Sequence, residues 1–205
     1  MEAIYIATSN PGKLRDFAGA ARLFGVAVAS LPGFASFEPV EEDGETFEAN
    51  AIKKAQAYSS YAPGALVLAD DSGLEVAVLG GAPGVRSARY AADAGIHTKS
   101  HMDVDLANNG RLLRELEDIP EEKRDACFIC VLAAAQEGQL RATFEGEVRG
   151  RILRAARGTN GFGYDPLFLV PELSKTTAEM SADEKAAISH RGRAFRKFLE
   201  WYGNR

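Results

Sequence analysis

Residues 66–78 read LVLADDSGLEVAV, and how this stretch is read decides the fold. Leu66, Val67, Leu68 and Ala69 form a short apolar run, bounded by Pro63-Gly64 before it and Ser72-Gly73 after it, which is the pattern of a buried strand. The strand is expected to stop at two carboxylates, Asp70 and Asp71. Side chains alternate faces along a strand, so the two should point opposite ways and only one should look into a given cleft. A carboxylate at the carboxyl end of a buried strand stands where open α/β sheets bind ligands, and its oxygens suit a hard cation. The same Asp-Asp-Ser-Gly also reads as a plain turn, with Asx-type hydrogen bonds ending the strand. The rest of the chain has to separate the two.

Moving toward the N-terminus, Ala3–Ala7 is a β-rich run, followed by Thr8-Ser9-Asn10-Pro11-Gly12-Lys13 and then by LRDFAGAARLFG. In that last segment Leu14, Phe17, Ala18, Ala21 and Phe24 recur at helical spacing, and Gly25 is a stop. Strand, tight loop and helix follow one another. Ser9 or Asn10 can cap the helix, Pro11 suits its first turn, and Gly12 lets backbone approach a ligand. Free N–H groups and the positive end of the helix dipole then form an anion site to which Lys13 adds a full charge. An ordinary capped helix with a solvated lysine fits the local sequence equally well. Val26–Leu31 reads as the next strand, and Pro32–Gly44 as a loop that grows acidic through Glu38, Glu41, Glu42 and Asp43. From Thr46 a helix is predicted with Phe47, Ala51, Ala55 and Tyr58 buried and Glu48, Lys53 and Lys54 toward polar surroundings.

Toward the C-terminus, LEVAVLGG reads as a strand leaving the turn and GAPGVRSARY as a loop. A helix is predicted from Lys99 to Glu117, with Leu106, Leu113 and Leu116 inward, ending before Pro120. ACFICVLAAA and LRATFEGEVRG then form a hairpin around Glu137-Gly138. Residues 157–166, RGTNGFGYDP, pack glycines around Phe162 and Tyr164, so a flexible loop is expected to display two rings suited to the flat face of a base. Ser181-Ala-Asp-Glu184 is a capping box opening a helix. Ser189 caps a second helix with Phe195, Phe198, Leu199 and Tyr202 at amphipathic spacing. That arrangement sets His190 and Arg191 at a positive helix start, a conflict that an anion or carbonyl oxygen would relieve and that marks a functional site.

Composition narrows the classes. The chain has 205 residues, 46% hydrophobic and 26% charged, enough for one compact unit with a substantial core. A net charge of -5 and a pI near 5.3 argue against a nucleic-acid or acidic-membrane surface, so any polyanion bound must be small and locally neutralised. No apolar run approaches the ~20 residues that span a bilayer, and Glu2 stands where a signal peptide carries positive charge, which points to the cytoplasm. Cys127 and Cys130 lie in an apolar strand, on opposite faces, and read as reduced core residues rather than a redox or zinc pair. His97 and His101 have the i, i+4 spacing of a metal pair but lack the Glu and the third ligand, so surface histidines are expected.

TSNPGK (8–13), ETFEANA (45–51), ADDSGLEV (69–76), GGAPGVRSARY (80–90), GFGYDP (161–166) and EKAAISHRG (184–192) occur in this order along nearly the whole chain. Together they resemble the inosine triphosphate pyrophosphatase family, whose members hydrolyse aberrant purine nucleoside triphosphates to the monophosphate and pyrophosphate. The resemblance implies a single α/β domain over residues 1–205, with an elongated mixed β-sheet flanked by helices and two lobes around a central nucleotide-binding cleft. It also implies a homodimer and Mg²⁺ as cofactor. The family's triphosphate grip maps onto Thr8, Ser9, Asn10, Pro11, Gly12 and Lys13, with Lys54 as a further cation. Its catalytic, magnesium-binding aspartate maps onto Asp71, with Ser72 touching substrate. Phe162, Gly163, Tyr164 and Asp165 match its nucleoside-binding segment, as do Lys185, His190 and Arg191. The metal-holding loop glutamate falls at Glu42, with Glu45 and Glu48 as alternatives. Ala49 and Asn160 stand where many members carry Glu and Gly.

Overall fold

The computed structural model describes residues 4–97 and 100–204. Strands β1 (Ile4–Ile6), β2 (Val28–Ser30), β3 (Val67–Val76), β4 (Asp125–Gln136), β5 (Gln139–Ile152), β6 (Phe168–Val170) and β7 (Lys175–Thr176) form one mixed sheet in the order β2-β1-β3-β4-β5-β6-β7. β1 runs parallel to β2 and β3, whereas β6 is antiparallel to both β5 and β7. The helices are α1 (Pro11–Arg22), α2 (Phe47–Ser59), α3 (Tyr90–Asp93), α4 (His101–Glu115), α5 (Ala182–Ile188) and α6 (His190–Gly203). The fold is α/β, as expected. Among the described residues no helix is long and apolar enough to cross a membrane. The chain divides into two compact units, one made of Met1–Ser72, Ile129–Glu147 and Ala182–Arg205, the other of Gly73–Phe128 and Val148–Ser181.

In the first unit, Ile4, Ile6, Leu68, Cys130, Leu132 and Ala134 of the strands bury themselves against Phe17, Ala20 and Ala21 of α1 and Ala194, Phe195 and Phe198 of α6. All of these strand positions are even-numbered, so the period of two sends one set of side chains to the α1/α6 face. Gly146 on β5 permits the close approach of α6: an added Cβ would overlap the carbonyl oxygen of His190 and the backbone nitrogen of Ala194. The first turn of α6 is therefore seated hard against the sheet. α2 buries Phe47, Ala51, Ala55 and Tyr58, the predicted stripe, and Thr46 caps it by accepting from the Ala49 N–H at 3.1 Å. The β4–β5 turn is the predicted hairpin. Glu137 and Gly138 both have positive φ, 52° and 76°, as a two-residue turn matched to strand twist requires.

In the second unit, α4 buries Leu112 and Leu116, and the rings of Phe128 and Phe168 lie 4.4 Å apart. Arg124, 1% exposed, donates to the carbonyls of Leu116, Ile119 and Leu153, and so satisfies the open end of α4.

Several expectations need correction. The strand does not stop at Asp70-Asp71: β3 continues through Ser72-Gly73 to Val76, with no turn. Buried cations take up the carboxylates that turn chemistry would otherwise have satisfied. Residues 84–89 form a 3-10 helix leading into α3, where a loop was expected. Leu106 is 64% exposed and Leu113 half-buried, because the buried stripe of α4 passes through Leu112 and Leu116. Phe24 and Tyr202 are also exposed, Phe24 because α1 ends at Arg22 and leaves it in the turn before Gly25. Cys127 is half-buried and Cys130 buried, and neither is in a disulfide. His97 is exposed, whereas the side chain of His101 and residues 98–99, including the expected helix start at Lys99, lie outside the described residues.

Candidate functional site

The elements expected to grip phosphate all belong to the first unit. Asn10 caps α1, its Oδ1 accepting from the N–H groups of Gly12 at 2.8 Å and Lys13 at 3.1 Å, with Pro11 as the first helical residue. Thr8 Oγ1 accepts from the Asn10 N–H at 3.2 Å and braces the loop. Ser9, Asn10 and Pro11 are exposed, Thr8 and Lys13 half-buried and Gly12 buried. Thr8 to Pro11, with Leu14, Ser30, Leu31 and Phe34, border a solvent-open cavity of about 470 Å³.

The predicted alternation of the aspartates holds. Asp70 faces α1 and α6: its Oδ2 lies 3.0 Å from Lys13 Nζ and 3.6 Å from Arg191 Nε, and accepts from Ser72 Oγ at 2.9 Å. Asp71 faces α2: its Oδ2 accepts from Asn50 Nδ2 at 3.0 Å, and its Oδ1 lies 3.7 Å from Lys54 Nζ. Burial drives the Asp70 carboxyl upward, but Lys13, Arg191 and Lys54 outweigh it and hold the group at about 2. Asp71 moves the other way. Burial raises it and Glu42 adds to the rise, against the opposing pull of Lys54, Lys13 and the Asn50 amide. Adjacent carboxylates pushed apart in this way are suited to different tasks, one a permanent anion and the other a proton acceptor.

Lys54 is buried, and the polar surroundings expected of it are the carboxylates of Glu42 and Asp71 rather than solvent. Burial lowers its affinity for a proton, yet Asp71, Asp70 and Glu42 more than restore it, so it stays charged. Its Nζ also lies 3.1 Å from Glu42 Oε2, so one ammonium marks a point that both Glu42 and Asp71 reach. Two oxygen-donor carboxylates meeting at one point fit a hard divalent ion of the kind held by one or two carboxylates together with substrate phosphates. Among the described residues there is no group of three or more His, Cys, Asp or Glu side chains arranged for a metal. Of the alternative glutamates, Glu48 instead accepts from Thr143 Oγ1 at 2.9 Å.

Lys185, His190 and Arg191 are brought to the same unit, each buried. Ser189 caps α6, accepting from the Gly192 N–H at 3.1 Å. The cations at this helix start are stabilised by Asp16 of α1, which lies 3.3 Å from Lys185 Nζ and 3.0 Å from Arg191 Nη1; Arg191 Nη2 also donates to Ser72 Oγ at 2.7 Å. Burial holds the His190 imidazole well below its usual range, helped by Arg191, Lys185 and Lys13, so it is neutral at pH 7 and serves as a hydrogen-bonding group.

The loop Gly161–Asp165 belongs to the second unit and is neither flexible nor open at both rings. Asp105 accepts from the Gly163 N–H at 2.8 Å and Asn109 donates to the Gly163 carbonyl at 2.9 Å. Tyr164 is buried and its hydroxyl donates to the Ser87 carbonyl at 2.9 Å, so this one of the two predicted stacking rings is not displayed, and Phe162 is half-buried. Asp165 is buried as well, accepting from the Phe162 N–H at 2.9 Å and from Thr177 Oγ1 at 2.8 Å. The polar face of α4 satisfies the loop backbone, and that is what allows Tyr164 inside.

Asp16, Asn50 and the part played by Asp70 escaped the sequence reading. For Asn50 a signal existed: it occupies a buried position of the α2 stripe, one residue before Ala51, where an amide is out of place.

The fold and the site define an α/β protein whose third strand carries two buried, oppositely directed aspartates beside a capped helix start and a set of enclosed cations. Its sequence places it more narrowly. The model of the Ham1 family matches residues 4–201, and the chain belongs to that family. It is 50% identical over 196 residues, 96% of each chain, to the dITP/XTP pyrophosphatase of Acidobacterium capsulatum. It is 47% identical over 206 residues, 99% of each chain, to that of Geobacter sulfurreducens. Among solved structures it is similar to the Ham1 protein of Staphylococcus aureus, with a TM-score of 0.81 at 39% identity over 99% of both chains. The HAM1 protein of Coxiella burnetii gives 0.82 at 36% identity over 100% of both.

Proposed function

We propose that this chain hydrolyses the aberrant purine nucleoside triphosphates dITP, XTP and ITP to the nucleoside monophosphate and pyrophosphate, with Mg²⁺ as cofactor. The observation that carries the reading is the convergence of Lys54, Glu42 and Asp71 beside the Lys13–Asp70 pair. The names of the relatives support the same chemistry. The homodimer implied by the resemblance belongs to this reading too.

A nucleoside triphosphate brings about four negative charges to an acidic protein, so local cations must offset them. Lys13, Lys54 and the positive end of the α1 dipole do so on the phosphate side, while the first N–H groups of α1, expected to be free, are taken up by Asn10. Asp71 and Glu42 would hold Mg²⁺, which when bound polarises phosphate oxygens and lowers the pKa of coordinated water. Asp71, beside Lys54 and opposite Glu42, serves there as a ligand of the ion, as the acceptor of a proton from a water attacking the α-phosphorus in line, or as both in turn. Asp70 remains ionised and keeps Lys13 and Arg191 in place.

Base selection follows from donors. Hypoxanthine and xanthine carry a six-oxo group that accepts from Arg191 or His190, whereas the amino group of adenine would leave those donors facing another donor. A site built on one such hydrogen bond discriminates by up to ~10⁴-fold. Incubation with ITP and Mg²⁺ followed by product identification tests the assignment. Monophosphate and pyrophosphate are expected; diphosphate with inorganic phosphate, or unchanged ITP, would overturn it.

A further inference from the structure

α2 buries an amide that takes part in no ion pair. Asn50 is 1% exposed and touches both halves of the acidic site. Its Oδ1 accepts from the Gly44 N–H at 2.8 Å, and its Nδ2 donates to Asp71 Oδ2 at 3.0 Å and to the Gly44 carbonyl at 3.4 Å. The amide has one orientation that works, since a backbone N–H must meet its oxygen and a carboxylate must meet its nitrogen. Gly44 lies two residues beyond Glu42, so the same side chain that holds Asp71 also holds the loop carrying the second carboxylate. Gly44 is fitted to this contact. A Cβ there would stand 2.6 Å from Asn50 Oδ1 and 3.0 Å from the Ala49 Cβ, so no larger residue lets the loop approach so closely.

With Oδ2 of Asp71 engaged by Asn50 and Oδ1 accepting from the Ser72 N–H at 3.0 Å, the plane of the carboxylate is set. The distance from Lys54 to Glu42 and Asp71 is then set by the same amide, acting through Gly44 on one side and directly on the other.

We propose that Asn50 is a positioning residue for the pyrophosphatase reaction: through one amide it orients Asp71 and seats the Glu42 loop, so that both carboxylates address a single divalent ion. This rests on the functional reading above. A polar plug in the core would predict lost stability alone. A partner that orients metal-holding carboxylates predicts a loss of ~10–100-fold in metal affinity or turnover when it is removed.

The test uses the full chain with Asn50→Ala, which deletes the amide, and Gly44→Ala, which keeps the amide but sets a Cβ against its Oδ1 and so parts it from the loop. Mn²⁺ affinity is measured without nucleotide by equilibrium dialysis, kcat and KM are measured for ITP with Mg²⁺, and folding is followed by circular dichroism. Both folded variants are expected to bind Mn²⁺ ~10–100-fold more weakly and to lose kcat on the same scale, with KM near that of the parent. In the unmutated protein, NMR signals of the Asn50 side-chain amide and the Gly44 N–H should shift together on Mg²⁺ addition; this arm needs no variant to fold. Folded variants with parental Mn²⁺ affinity and kcat, or NMR signals unmoved by Mg²⁺, would overturn the proposal while leaving the activity assignment standing. If the unmutated chain neither binds Mn²⁺ nor releases pyrophosphate, the functional reading falls and this proposal with it.

Discussion

The cluster around Asp70 and Asp71 and the loop Gly161–Asp165 both keep polar groups from water, but by different means. In the cluster, full charges answer one another: Lys13 with Asp70, Lys54 with Glu42 and Asp71, Lys185 and Arg191 with Asp16. In the loop, the neutral backbone of Gly163 is gripped by Asp105 and Asn109, and Tyr164 anchors through one hydroxyl. Buried ion pairs are sensitive to the loss of either partner, because the survivor is left charged in a poorly solvated place. Hydrogen bonds to a neutral backbone or hydroxyl group carry smaller individual energies than a broken buried ion pair, even where the partner is a carboxylate as at Asp105. Damage to the first region should therefore cost stability as well as chemistry and selectivity, and damage to the second a smaller amount of local stability alone.

The sharpest way to break this contrast is Asp71→Asn, which keeps the shape and a hydrogen-bonding partner for Asn50 but removes the charge. A fall in kcat of ~10³–10⁴-fold on ITP is expected in a protein that still folds, because Lys54 keeps Glu42 as its partner. A fully active variant would take Asp71 out of the reaction. Arg191→Lys comes next. It retains a charge but loses the planar fork that reaches both Asp16 and Ser72, and the preference for ITP over ATP, read as a ratio of kcat/KM, should drop by about 10²-fold.

His190 gives a pH-dependent arm. Its folded pKa lies well below the ordinary 6.5, so below that pH the unfolded chain takes up a proton that the folded chain refuses. Stability is thus lost as pH falls from 6.5, with a slope approaching about 1.4 kcal/mol per pH unit from this group. His190→Gln should flatten that part of the profile in urea titrations between pH 7 and 5; an unchanged slope contradicts a buried neutral imidazole. The smallest effect is expected in the loop. Tyr164→Phe loses the bond to the Ser87 carbonyl, which Asn108 also contacts at 3.3 Å, and should cost about 1 kcal/mol in chemical denaturation while kcat/KM stays near the parental value.

Much of this was legible in the sequence where local chemistry governs. Asn10 and Pro11 announce the start of α1, Thr46 that of α2 and Ser189 that of α6, because caps act within three residues. The period of two is enough to send Asp70 and Asp71 to opposite faces. What stayed hidden depends on partners far along the chain. Asp-Asp-Ser-Gly has turn chemistry, and only Lys13, Lys54 and Arg191, drawn from three different helices, let β3 run straight through it. Tyr164 looked exposed because its neighbours are glycines, and residues of α4 more than fifty positions away rigidify them. Phe24 and Leu106 fit a helical repeat, yet the buried stripes of α1 and α4 pass elsewhere.

The place of bond cleavage is the most direct test, read by hydrolysing ITP in H₂¹⁸O with Mg²⁺ and weighing the products by mass spectrometry. Attack by water on the α-phosphorus puts one ¹⁸O into the nucleoside monophosphate and none into pyrophosphate. Label in the pyrophosphate, or in free inorganic phosphate, would contradict the account.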